Sequence, residues 1–188
     1  EESEIKSGIG EMLHYFLVDG SQMAFGINDE YDALFSDRSQ LEKYIHESLT
    51  IKKRMVIKDE FDQGERRVFN YGHTFGHAIE AITEHKVPHG QAVTIGMDIA
   101  NYVSYKIGNL KEGEYANMSY FLKKNMPDFR LEEGMIDSYM GLLKKDKKNI
   151  SNSITCILPY SFGDIRVEHI HDIQFLKKTI IDYINLNT

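Results

Sequence analysis

Apolar residues along this chain recur mostly at the spacing of a helix. Between Ile5 and Val18 they fall at Ile5, Ile9, Met12, Leu13, Phe16 and Leu17, along one face of a 3.6-residue repeat. A second helix is predicted over 38–57, with Leu41, Tyr44, Ile45, Leu49 and Ile51 apolar and Met55-Val56-Ile57 at its end. The same pattern predicts helices over 65–84, about 89–108, Leu110–Lys124, Leu131–Lys145 and His171–Ile184, with a break around Pro127. Only Ser153–Pro159 and Asp164–Val167 read as strands, and Tyr160-Ser161-Phe162-Gly163 suits a short hairpin link. The expectation is a mainly α, multi-helix domain over residues 1–188 with a small β-hairpin. No repeat, low-complexity segment or linker interrupts it.

At 188 residues the chain is long enough for one domain with a real core. Its 41 % hydrophobic and 27 % charged content is that of an ordinary soluble protein. No apolar run approaches the roughly 18 residues of a membrane span, and the first residues lack a signal-peptide core. A net charge of −7 argues against a general nucleic-acid binder. The single cysteine, Cys156, excludes an internal disulfide and a cysteine-based metal cage. It lies in the apolar run Ile154–Leu158, which predicts burial and suits a reducing cytoplasm. The chain opens Glu1-Glu2 without a Met, so a fragment or processed product is expected.

Candidate chemistry concentrates in one stretch. Arg66, Asn70, His73, His77 and His89 fall within 24 residues. On one continuous helix the first four would stack along a single face. His73 and His77 are at i and i+4, the geometry that offers two imidazoles to one metal. His89, between Pro88 and Gly90, stands where it can point back to the same place. Spacing alone leaves two readings open, a three-histidine metal site or ordinary structural histidines. Glu11 lies among apolar helical residues, where a carboxylate is costly to bury unless paired or metal-bound; a solvated face is the alternative. Glu11-x-x-His14 also resembles half of a carboxylate-bridged di-iron motif, but no second half is visible. Lys52 and Asp146-Lys147-Lys148 either add positive charge to an anion site or are solvated surface groups.

Taken together, Ser7–Glu11, Lys52, Asp59–Arg66, Asn70–Glu80, His89–Met97 and Asp146–Lys148 resemble the C-terminal, helical, metal-binding half of 3-dehydroquinate synthase, over nearly the whole chain. The resemblance implies that Glu11, His73 and His89 bind a divalent metal, zinc or cobalt, and that His77 contacts substrate in a catalytic role. It implies substrate binding by Lys52, Arg66, Asn70 and Lys148, with Lys147 as second choice for the last. Asp62 stands where the family commonly has a proton-accepting glutamate. His14 stands where it has a substrate-binding lysine. Histidine is shorter and, with an ordinary pKa of about 6.5, only partly charged at neutral pH.

The implied reaction converts the sugar acid phosphate DAHP to 3-dehydroquinate in the shikimate route to aromatic amino acids. It proceeds by transient oxidation of a ring carbinol by NAD, loss of phosphate, reduction, ring opening and intramolecular aldol closure. No glycine-rich β-α-β segment occurs here, so the NAD-binding domain is expected N-terminal to this region and the chain alone is expected to be inactive. Homodimerisation is a further family expectation. Two competing readings are a related sugar-phosphate cyclase with another substrate and a noncatalytic helical module that binds metal or a partner. Iron-dependent alcohol dehydrogenases share the general architecture, but their motifs fit these residues poorly.

Overall fold

The structure, a computed structural model, describes residues 2–145 and 153–186. Its helices are α1 (Glu2–Asp19), α2 (Met23–Asp29), α3 (Arg38–Lys58), α4 (His73–Ile82), α5 (His89–Lys106), α6 (Glu112–Leu122), α7 (Ile136–Lys144) and α8 (Ile173–Leu186). Between α7 and α8, strands β1 (Ile154–Ser161) and β2 (Asp164–Ile170) pair antiparallel as a two-stranded hairpin. The mainly helical fold with one small hairpin is as the sequence predicts.

The fold is built around α5. Every residue from Gly90 to Ser104 is buried, as expected for a helix enclosed on all sides. Helices α1, α4, α6 and α8 and strand β1 pack directly on it. Two hydroxyl-to-carbonyl bonds fasten the hairpin: Ser104 Oγ donates to Pro159 O, and Thr74 Oγ1 donates to Thr155 O at 3.3 Å. Tyr139 OH, from α7, donates to Phe75 O at 3.0 Å. Cys156 is buried in β1, as its apolar neighbours predict. No helix of the described residues is long and apolar enough to cross a membrane.

Local chemistry explains the start of α3 and the hairpin turn. Asp37 caps α3 by accepting from Ser39 N and Gln40 N, an arrangement typically worth about 1 kcal/mol. The hairpin turns at Phe162-Gly163, where Gly163 adopts φ 78°. Its strands reach Ser161 and Ile170, beyond the predicted ends. Residues 23–29 and 31–35 form α2 and a 3-10 turn, elements that the apolar pattern does not name. Residues 123–125 and 133–135 are also 3-10, so α6 and α7 are shorter than predicted.

One expectation is overturned. Residues 65–84 are not a continuous helix. Glu65–Asn70 is a 3-10 turn, Tyr71 is extended, and Gly72 takes φ 79° before α4 starts at His73. Gly72 lies against α5 so closely that a side-chain carbon there would sit 2.8 Å from Val93 O. Left-handed backbone without a Cβ is what glycine permits, and α4 sets off in a new direction. Arg66 and Asn70 therefore do not share a helical face with His73 and His77.

Candidate functional site

Three helices bring one charged or imidazole group each to a common point. Glu11 comes from the middle of α1, His73 from the first residue of α4, and His89 from the first residue of α5. Glu11 Oε1 lies 3.5 Å from His73 Nε2 and 3.2 Å from His89 Nε2. His77, one turn along α4, completes a cluster in which a ring nitrogen of His73, His77 and His89 falls within 4.8 Å of the others.

Close backbone packing makes the convergence possible. Gly10 and Gly90 face each other across α1 and α5, and a methyl group on Gly10 would overlap Gly90 O and stand 2.9 Å from Thr94 Oγ1. Ser7 Oγ of α1 accepts from Gly90 N at 2.9 Å. That satisfies one of the N–H groups left without a partner at a helix start and locks α1 to the beginning of α5. Pro88, with φ −59° and ψ 147°, delivers the chain to His89.

The two ligand-like histidines are oriented from behind. His73 Nδ1 is 3.2 Å from Tyr71 O, a carbonyl able to accept a hydrogen bond from Nδ1 when Nε2 serves a metal ion. His89 Nδ1 is 3.0 Å from Glu80 Oε2. This use of the second ring nitrogen is the usual support of metal-binding histidines. Glu80 was not singled out from sequence, although it sits three residues past His77 on the same helix, a legible signal.

The electrostatics suit a divalent cation. Burial alone would raise the Glu11 pKa, but the nearby His73 and His89 nitrogens outweigh it and hold the carboxyl well below its usual range. Yet, among the described residues, Glu11 Oε1 is buried without a contact of proper hydrogen-bond geometry. Proximity sets the attraction, whereas the angle defines a hydrogen bond. A buried carboxylate oxygen so placed is a cost unless a cation meets it, whether protonated His89 at 3.2 Å or a metal ion in its place. One carboxylate plus imidazoles is a donor set that zinc and cobalt accept. His89, held by Glu11 and Glu80 against the opposing effect of burial, is pushed up to about 9.

His14 differs from expectation. Its ring is buried against Tyr15, Phe69 and His73, with the Phe69 backbone beside it, and among the described residues neither nitrogen makes a well-formed hydrogen bond. Burial first, and the neighbouring His73 second, lower its pKa to about 3. It is thus uncharged at neutral pH, where exposed histidine would be partly charged. Tyr15, also missed from sequence, gathers the cationic side of the site. Lys52 Nζ stands 5.7 Å from its ring centre. Burial and Glu11 raise the Tyr15 pKa, opposed by Lys52 and Arg66.

Arg66 Nη1 donates to Glu60 O at 2.8 Å, and Asn70 Nδ2 donates to Arg67 O at 3.1 Å. Both lie on the 3-10 turn leading to the histidines. Asp62 occupies the exposed turn before it, in left-handed backbone (φ 54°), and none of the described contacts joins it to the histidine cluster. Lys147 and Lys148 lie outside the described residues.

Residues 8–149 match the family described as 3-dehydroquinate synthase C-terminal. A 3-dehydroquinate synthase of Dictyoglomus thermophilum is 37 % identical over 184 residues, 94 % of this chain and 50 % of that protein. One from Staphylococcus carnosus is 31 % identical over 183 residues, 94 % and 49 % respectively. Among solved structures, 2-deoxy-scyllo-inosose synthase complexed with carbaglucose-6-phosphate, NAD+ and Co2+ superposes with TM-score 0.85 at 22 % identity, covering 97 % of this chain and 53 % of that one. A 2-epi-5-epi-valiolone synthase from Streptomyces hygroscopicus with NAD+ and Zn2+ bound gives 0.74 at 18 %, covering 98 % and 52 %. At those identities the likeness is one of fold. This chain spans about half the length of the curated relatives it matches. It belongs to the 3-dehydroquinate synthase family, to whose C-terminal region it corresponds.

Proposed function

We propose that this chain is the metal- and substrate-binding half of a 3-dehydroquinate synthase, acting on DAHP to give 3-dehydroquinate and phosphate. The observation that carries the reading is Glu11 Oε1, buried, short of a hydrogen bond and within 3.5 Å of two imidazole nitrogens. Glu11, His73 and His89 hold a divalent cation, zinc or cobalt. His77 is left at the rim for substrate, because the Nε2 atoms of His73 and His89 are the ones that turn toward Glu11. When bound, the cation supplies Lewis-acid polarisation of a substrate hydroxyl.

The remaining residues bind and orient. Lys52, Arg66, Asn70 and Lys148 receive the carboxylate and phosphate of the sugar acid, with Arg66 suited to paired hydrogen bonds. His77, exposed and beside His73 and His89, exchanges a proton with substrate, and Asp62 takes the place of the family's proton-accepting glutamate. An NAD-binding half preceding this region supplies the oxidation and reduction, so this chain alone does not turn over. The intact enzyme acts as a homodimer in the cytoplasm, an environment that suits the single buried thiol.

A related cyclase is the second reading, favoured by one observation. His14, uncharged and enclosed, stands where the family has a lysine, so the anion site has one cation fewer. Phosphate release by the intact protein from DAHP but not from sedoheptulose 7-phosphate supports the first reading; the reverse selects the second. In this chain, zinc titration should lose its signal in His73→Ala and His89→Ala and keep it in His77→Ala. Equal loss in all three would overturn the ligand assignment.

A further inference from the structure

A second polar site lies on the far side of α5. Asp98 follows His89 by nine residues, which puts it on the opposite face of the helix and about 13 Å further along its axis. Its side chain lines a crevice of about 650 Å³ between α5, α6, α8 and the segment 126–131. Asp98 is only 7 % exposed, and its partners are neutral: Ser119 Oγ donates to Oδ1 at 2.6 Å and Tyr183 OH to Oδ2 at 2.8 Å. No described lysine, arginine or histidine forms an ion pair with it.

A buried carboxylate without a counter-cation is costly, and burial accordingly raises its pKa. Two hydroxyls occupy only about half of the roughly four acceptor positions of a carboxylate. The walls beside it are aromatic and apolar, with Tyr115, Phe129 and Ile184 among them. The rim is mixed in sign, carrying Lys123, Asp128 and Arg130. The inner group of fixed chemistry is therefore a carboxylate facing aromatic rings, which complements a cation on an apolar body.

We propose that this crevice binds a small primary amine carried on an aromatic or branched apolar skeleton, its ammonium donating to Asp98 and its body lying against Tyr115 and Phe129. The site shares no residue with the histidine cluster, so it does not depend on the proposed reaction.

Phenethylamine is the probe, with 3-phenylpropanoate as a control of similar shape and opposite charge. Titration calorimetry on the chain at pH 7.5 should detect the amine and not the acid. Asp98→Asn should weaken amine binding by at least about tenfold, the usual effect of losing a charge-assisted hydrogen bond. Ala116→Phe, on an exposed position of the crevice wall, should block binding while leaving the melting temperature near that of the parent. His89→Ala should bind the amine unchanged. The proposal is overturned if the parent chain does not bind phenethylamine, if the acid binds equally well, or if a folded Ala116→Phe binds the amine as the parent does.

Discussion

Gly8 and Gly10 lie two residues apart on α1 and should respond to the same substitution with opposite signs. A methyl group on Gly8 meets none of the described residues within 4 Å. Gly8→Ala therefore keeps only the gain in helix propensity, about 0.5–1 kcal/mol. On Gly10 the methyl group would overlap Gly90 O, a backbone atom that cannot rotate away. Relief requires α1 and α5 to part by about 1 Å, and overpacking of this kind costs about 1–3 kcal/mol, with backbone clashes at the upper end. For a chain of this size, each kcal/mol moves the melting temperature by about 2–4 °C. Gly10→Ala should thus melt about 5–10 °C lower, and Gly8→Ala a few degrees higher. The same separation carries Glu11 away from His89, whereas metal distances tolerate only about 0.2 Å. Zinc affinity, measured by competition with a chromogenic chelator at a temperature where both variants are folded, should fall at least about tenfold in Gly10→Ala and hold in Gly8→Ala. If Gly10→Ala melts and binds zinc like the parent, the packing argument for the site is wrong.

Glu80→Gln should weaken zinc binding by about 10–100-fold without unfolding the chain, because it removes only the carboxylate behind His89; isothermal titration checks it, and an unchanged affinity would remove Glu80 from the site. Metal binding should also be proton-coupled. The His89 pKa in the metal-free chain is raised to about 9. Its contribution to metal-free stability is therefore fully present below the unfolded value of about 6.5 and lost as pH rises through about 9. Zinc must displace that proton, so affinity should rise with pH across the same window, with about one proton released per zinc near pH 7 in calorimetry across buffers. Affinity independent of pH would contradict this. His14→Phe should leave the melting temperature unchanged or raise it, because a ring whose two buried nitrogens make no well-formed hydrogen bond among the described residues gives way to one with no polar atom. A drop of several degrees on calorimetry would mean that the imidazole has a partner.

The helices were legible where their apolar face is regular and long, as in α1, α3, α5 and α8. Residues 23–35 were not, because a seven-residue helix and a 3-10 turn are too short to establish a period. The break at Gly72 escaped for a different reason. Arg66, Asn70, His73 and His77 keep a helical spacing by sequence count, and nothing local reveals that Gly72 is pressed onto Val93 and Met97 of another helix. His14 failed similarly. Its neighbour Glu11 predicts proximity to charge, but only the tertiary packing of Phe69 and His73 over its ring makes it neutral. Glu80 and Tyr15, by contrast, were within reach of the sequence, one on the histidine helix and one beside His14.

The convergence itself has a sequence correlate in Gly10-Glu11, Gly72-His73 and His89-Gly90. Each candidate ligand neighbours a glycine, and each of those glycines lies where a side chain would collide with backbone of another element: Gly10 with Gly90, Gly72 with Val93, and Gly90 with Ser7. Those glycines let α1, α4 and α5 come close at the point where the side chains of Glu11, His73 and His89 meet. The small residues and the ligands are therefore a single structural device. A substitution that separates α1 from α5 cannot leave the cation site intact. One confined to the exposed turn at Asp62 can change turnover of the intact enzyme and still leave metal affinity where it was.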